Sequence, residues 1–255
     1  MHPGCQENLL HAILPGKSPK EGGPRGCLSF RKCNIPPAPT PPILIDAPGS
    51  PSPNTPSIRN TLILGTSITK PLICEKMGKK GNKCFNVSQG GAKINDLKQN
   101  LLNFKRDNIE VSIHKIIISV GTNDVRNIKN TSDLEKPLQD LVETTKNTYP
   151  GVELYIQSLL PIKLQNWNCP GNKMTVDKVY GFNRLLFKIC KEYNLFYVDL
   201  FKNFLSQGKP GERSVRHDLY GRDNVHLNSR GNSVLARRLI YIINKHSLEF
   251  YPTRF

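Results

Sequence analysis

The chain has 255 residues, a net charge of +16 and 37% hydrophobic residues. That length accommodates one substantial domain with a tail, or two small domains, and the low apolar fraction places part of the chain outside any core. No stretch approaches the roughly 20 apolar residues of a membrane-spanning helix, and the N-terminus lacks the charged and apolar regions of a secretory leader, so the expectation is a soluble, intracellular, cytoplasmic protein.

Residues 1–57 read as a Pro-rich arm. Thirteen of the 20 prolines precede residue 58, and the stretch from Pro36 to Pro56 reads PPAPTPPILIDAPGSPSPNTP. Repeated proline fixes φ, removes N–H donors and favours extended polyproline II, so this arm is expected to be disordered. It carries a net charge of only +2, which leaves +14 on residues 58–255. A basic folded domain attracts polyanions such as nucleic acid or an anionic membrane. No compact Lys/Arg cluster stands out, so plain solubility accounts for the charge equally well.

The seven cysteines are Cys5, Cys27, Cys33, Cys74, Cys84, Cys169 and Cys190. They are odd in number, irregularly spaced and contain no CxxC pair, so no zinc site is expected. Free thiols are the simplest account. Cys74, Cys84 and Cys190 sit in apolar contexts that suit packing residues.

From residue 58 short apolar runs alternate with longer amphipathic ones. Strands are predicted at Asn60–Leu64, Lys83–Val87, Lys115–Val120, Glu153–Leu159 and Leu195–Asp199. Helical patterns fill 68–78, 93–105, 132–148, 175–193 and 229–245. This alternation predicts an α/β domain over 58–255, a flavodoxin-like three-layer sandwich with a five-stranded parallel sheet. The unbroken apolar run at Ile116–Ile118 suits a central strand buried on both faces. Asn228 and Ser229 are cap candidates for the last helix, and Val234, Leu235, Leu239, Ile242 and Ile243 form its apolar stripe.

In open parallel sheets functional groups gather at the carboxyl ends of the strands. The first strand runs into Gly65-Thr66-Ser67, where a serine at a strand-to-helix turn can present its hydroxyl and its N–H above the sheet. The bland alternative is a helix cap. The second strand runs into Gly90-Gly91, where a backbone N–H can approach a ligand without a Cβ in the way; an ordinary turn is the alternative. The third runs into Gly121-Thr122-Asn123-Asp124, where an Asn side chain can donate to an oxyanion or simply stabilise a turn. Finally, Asp223 and His226 lie three residues apart before the last helix. Asp accepting from Nδ1–H would leave Nε2 free to take a serine proton, although an isolated D-x-x-H is more often a surface loop.

Taken in order, G-x-S, a Gly turn, G-x-N-D and D-x-x-H resemble the SGNH (GDSL-like) hydrolase superfamily over roughly residues 59–245. The G-T-S, Q-G-G-A-K and V-G-T-N-D blocks look most like those of the esterase-like domains encoded by non-LTR retrotransposons. The resemblance implies Ser67 as nucleophile, Gly91 (with Gly90 as the alternative) and Asn123 as oxyanion donors, His226 as general base and Asp223 as its orienter. It implies hydrolysis of a carboxylic ester, from a small molecule, lipid or carbohydrate, with neither cofactor nor metal. One departure concerns Thr66, which replaces the acid of the usual G-D-S block.

Pocket walls are expected from the loop PIKLQNWNCPGNKMTVDKVYGFN, which holds Trp167, and from the loop around Arg213, Arg216 and His217. His114 and His246 read as structural. Competing readings are an SGNH-fold module that binds RNA or anionic membrane with weak turnover, an adaptor built on the Pro-rich arm, and a nucleotide-binding flavodoxin-like protein. The last lacks any glycine-rich phosphate loop.

Overall fold

A computed structural model describes residues 59–79, 81–162, 176–207, 214–223 and 225–244. The Pro-rich arm, most of the Trp167 loop, Arg213, His246 and four of the cysteines (Cys5, Cys27, Cys33 and Cys169) lie outside the described residues.

Five strands form the sheet: β1 (Thr61–Gly65), β2 (Cys84–Ser88), β3 (Lys115–Ser119), β4 (Glu153–Gln157) and β5 (Phe196–Val198). All neighbouring pairs are parallel, in the order β2-β1-β3-β4-β5. This is the flavodoxin-like order, with its switch point where the chain leaves β1 for one side and later returns to the other. The helices are α1 (Ile94–Asp107), α2 (Thr122–Asn127), α3 (Glu135–Thr148), α4 (Val176–Glu192) and α5 (Ser229–Asn244).

Strand side chains alternate between two cores. Leu62, Leu64, Ile116, Ile118, Leu154 and Ile156 face α1, α3 and α4. Ile63, Ile117 and Tyr155 face α5. Ile116, Ile117 and Ile118 are each no more than 1% exposed, so β3 is buried on both faces. Each such side chain contributes roughly 1.5–3 kcal/mol of burial.

The sequence and the structure differ at two places near the site. The helical pattern at 68–78 is instead a tight turn at Ser67–Pro71 followed by a short 3₁₀ segment at Cys74–Lys76. The Thr69 and Lys70 N–H groups both donate to the Thr66 carbonyl, at 3.2 and 3.1 Å. The next helical bond would need an N–H from residue 71 to Ser67, and Pro71 has none. Ser67 therefore stands on a turn, not at the start of a helix. The reverse holds after β3, where Gly121–Asp124, for which a turn is one alternative in the sequence, leads into the short helix α2 with Gly121 as its cap.

α5 fixes the direction in which the last segment meets the sheet. Lys115, 1% exposed at the start of β3, donates from Nζ to the Ile242 carbonyl at 2.9 Å and lies 3.7 Å from Glu153. Burial lowers its pKa, against the charge of Glu153. A cation at the last turn complements the helix dipole. The C-terminal end of α5 thus sits at the amino edge of the sheet. At 1.5 Å per residue the helix is roughly 24 Å long, so its N-terminus, with the Asp223–His226 segment, reaches the carboxyl edge.

Two thiols also meet beside β2. The Sγ atoms of Cys74 and Cys84 are 2.8 Å apart, and both are free thiols. The hydrogen bond and burial push the Cys84 thiol above its usual pKa.

Candidate active site

The register of the sheet levels three strand ends, because Gly65 pairs with Ser88 on one side and with Ser119 on the other. Ser67, Gly91 and Asn123 follow these ends within a few residues. They therefore emerge side by side along the carboxyl edge at the switch point.

The Ser67 turn is held by side chains from β2. Ser88 Oγ donates to Asn86 Oδ1 at 2.5 Å. Thr69 Oγ1 and Ser88 Oγ share a hydrogen bond at 2.8 Å. Asn86 Nδ2 closes the ring on the carbonyls of Thr69 and Leu72, at 3.0 and 3.2 Å. Gly65 makes room for this, since a Cβ there would lie 2.0 Å from Thr69 Oγ1. Thr66, which stands where the G-D-S block has its acid, is 1% exposed. A buried charge at that position would need a partner of its own.

The β2–α1 turn separates the two glycines. Gly91 has φ +78, whereas Gly90 has an ordinary φ and no neighbour that a Cβ would meet. Only Gly91 needs the left-handed freedom of glycine. Among the described residues the N–H groups of Ser67 and Gly91 make no hydrogen bond.

The G-T-N-D segment ties this turn to β3. Asn123 Nδ2 donates to the Ala92 carbonyl at 3.0 Å. Asp124 Oδ1 accepts the Ile94 N–H at 3.1 Å and so caps α1 from outside. Asp124 is 8% exposed, and its Oδ2 has no partner among the described residues. Burial raises its pKa, opposed by the hydrogen bond from Ile94. Gly121 has φ +113, and a Cβ there would fall 2.1 Å from the Phe182 ring. Sequence reasoning missed the role of Asp124; its position at the start of a helix in G-T-N-D is the signal that carries it.

The His226 loop is closed at its base. Tyr220 and Leu227 form an antiparallel bridge, and the Gly221 N–H donates to the His226 carbonyl at 2.8 Å. Asn228 Nδ2 donates to the carbonyls of Asp218 and Tyr220 at 2.9 and 3.0 Å, while its Oδ1 caps α5 at Gly231. Within the loop Asp223 Oδ2 lies 2.5 Å from His226 Nδ1. Its Oδ1 accepts the Val225 and His226 N–H groups, both at 3.0 Å. Partial burial works to raise the Asp223 carboxyl, but these hydrogen bonds and the His226 charge outweigh it and hold the pKa below the ordinary value.

Asp223 and His226 are therefore in direct contact, and Asn123 contacts the residue after Gly91. Among the described residues no hydrogen bond joins Ser67 to His226. Their chain neighbours do converge: Ile68, Thr122 and Val225 line one small cleft of about 10 Å³, together with Gln157 and Ile162. A larger opening of about 800 Å³ lies elsewhere, against Lys202, Ser206, Val215, Arg216 and His217. None of Ser67, Gly91, Asn123, Asp223 and His226 lines either opening; Arg216 and His217 border the larger one, and the chain neighbours Ile68, Thr122 and Val225 the smaller. Among the described residues no three His, Cys, Asp or Glu side chains gather as a metal site, and no helix is long and apolar enough to cross a membrane.

Residues 54–239 match the family model for GDSL-like lipase/acylhydrolase. A lipase/acylhydrolase from Enterococcus faecalis superposes with a TM-score of 0.57 at 14% identity, covering 78% of this chain and 100% of that one. A GDSL-like lipase from Bacteroides thetaiotaomicron VPI-5482 gives 0.57 at 20% identity, with 72% and 87% covered. The acetyl xylan esterase AlAXEase gives 0.55 at 21% identity, with 72% and 99% covered. No curated protein matches the chain.

Proposed function

As the chain belongs to the GDSL-like lipase/acylhydrolase family and is an ester hydrolase, we propose that it works through a Ser67–His226–Asp223 triad, with Ser67, Gly91 and Asn123 holding the oxyanion. The observation that carries this reading is the Asp223–His226 contact at 2.5 Å. A carboxylate kept ionised on Nδ1 commits that nitrogen as N–H and leaves Nε2 as the base.

Ser67 Oγ then attacks the ester carbonyl carbon while Nε2 takes its proton, and the carbonyl electron pair moves onto oxygen. The N–H groups of Ser67 and Gly91 and the Asn123 amide stabilise that oxyanion. Its collapse expels the alcohol, which recovers the proton from His226. Water repeats the sequence on the acyl-enzyme and releases the acid. Small-molecule, lipid and carbohydrate esters are the classes to test.

The test is hydrolysis of p-nitrophenyl esters and labelling by a fluorophosphonate, in wild type, Ser67→Ala and His226→Ala. Turnover lost in both variants, with the label on Ser67, is the expected result. A folded wild type that neither turns over nor labels would sink the triad.

The charge of +14 on residues 58–255 favours a second reading. In it the domain also binds RNA or anionic membrane, in keeping with blocks that resemble retrotransposon-encoded esterase domains. Ser67→Ala would then retain RNA or liposome binding that weakens steeply with salt. Salt-independent or absent binding rejects it.

A further inference from the structure

β4 ends in a residue that the triad does not use. Gln157 is 2% exposed and lies on the α5 side of the sheet, two residues from Tyr155. Its Oε1 is fully enclosed and has no hydrogen-bond partner among the described residues. Its neighbour Ser158 shows how the same stretch satisfies a polar group, since its Oγ accepts the Leu200 and Phe201 N–H groups at 3.0 and 3.1 Å. Buried carboxamides are nearly always paired, and an apolar side chain of similar size would fill the space without that penalty. The packing of β4 therefore supplies no reason for a glutamine.

The cleft beside Ser67 supplies one. Gln157 lines it with Ile68, Ser119, Leu160, Ile162 and Val225. Ile68 follows Ser67 and Val225 precedes His226, so the cleft is bounded by the chain neighbours of the proposed nucleophile and base. Its volume is about 10 Å³, close to the space of a single water molecule. A methyl group is of that order. A longer alkyl chain would have to displace the Gln157 side chain.

We propose that Gln157 is a specificity-determining residue that closes the acyl side of the site and limits the substrate to esters of short acyl groups, acetyl in size. This rests on the Ser67 hydrolase reading. Apolar pockets discriminate by about tenfold or more for each methylene that fails to fit, so a closed floor separates acetyl from octanoyl esters by at least that factor.

The experiment compares kcat/KM for p-nitrophenyl acetate, butyrate and octanoate in the full chain and in Gln157→Ala, with fluorophosphonate labelling of Ser67 in both. The wild type is expected to favour acetate over octanoate by at least about tenfold, and Gln157→Ala to reduce that ratio by about tenfold through faster turnover of the longer esters. Gln157→Val, which keeps a strand-favoured side chain but shortens it, shifts the ratio in the same direction and serves where the alanine variant does not fold. Turnover with equal rates on acetate and octanoate, or a ratio unchanged in a folded variant, overturns this inference and leaves the hydrolase reading standing. No turnover of any ester and no label on Ser67 overturns both.

Discussion

Asp223 and His226 are joined twice, once through the imidazole Nδ1 at 2.5 Å from Oδ2 and once through the His226 backbone N–H at 3.0 Å from Oδ1. The second bond fixes the carboxylate relative to the chain that carries the imidazole, so the pair is set by a local loop and not by distant packing. Asp223→Asn keeps the shape but not the charge, and it offers an NH₂ where Nδ1–H needs an acceptor. The expected loss in kcat is on the order of 10³–10⁴-fold, measured on a p-nitrophenyl ester against wild type.

The same pair has a signature in acid. The folded Asp223 carboxyl titrates below its ordinary value, which in an unfolded chain is about 3.9. Its stabilising contribution is therefore fully present above that pH and is lost as pH falls through the lowered folded value. Both side chains are about half exposed, 51% and 52%, so solvent screening keeps the contribution small. Urea midpoints of wild type and Asp223→Asn should differ above about pH 5 and converge as pH falls through the lowered folded value. A gap that widens on acidification would contradict this.

The two glycines after β2 make opposite predictions. At Gly91, with φ +78, an alanine pays roughly 1–2 kcal/mol for the left-handed conformation or moves the N–H proposed to meet the oxyanion. Gly91→Ala should lower both the unfolding midpoint and kcat. Gly90→Ala, with no neighbour within reach of a Cβ, should stay within about 0.5 kcal/mol of wild type. Denaturant titration and ester hydrolysis on both variants decide between them.

Asp124 links α1 to the start of α2 by a single oxygen. Asp124→Asn retains an acceptor for the Ile94 N–H and removes a carboxylate whose burial raises its pKa. Because the folded pKa lies above the unfolded one, the ionised group costs stability above that range, and the cost disappears as pH falls through the folded value. Asp124→Asn should thus match or exceed wild type at neutral pH. Asp124→Ala removes the cap and should lose about 0.5–2 kcal/mol. Thermal melts at pH 7 and pH 4 check the order.

Cys74 and Cys84 are placed for a crosslink, with sulfurs 2.8 Å apart. Their hydrogen bond and burial push the Cys84 thiol far above its usual pKa, so Cys84 itself supplies little thiolate. Once diamide has taken the two hydrogens and formed the bond, the closed loop should raise stability by about 2–3 kcal/mol. Peptide mapping without reductant identifies the link, and a melt with and without reductant measures its effect.

The sheet was legible in the chain's own pattern, because strand and helix periods are local. The runs at Ile116–Ile118 and at Val234–Ile243 are apolar at spacings that only a buried strand and an amphipathic helix use. The D-x-x-H loop was legible for the same reason, since three residues suffice to bring Asp223 Oδ2 to Nδ1. The Ser67 turn was not, because Pro71 ends a pattern that apolar spacing alone would extend to residue 78. Tertiary structure alone decided the rest. Asp124 finds its donor 30 residues away at Ile94, Thr69 is held by Ser88 across 19 residues, and Gln157 meets Ile68 and Val225 only in the folded cleft. Such contacts depend on how neighbouring strands are levelled and on where α5 ends against Lys115, and no local period encodes either.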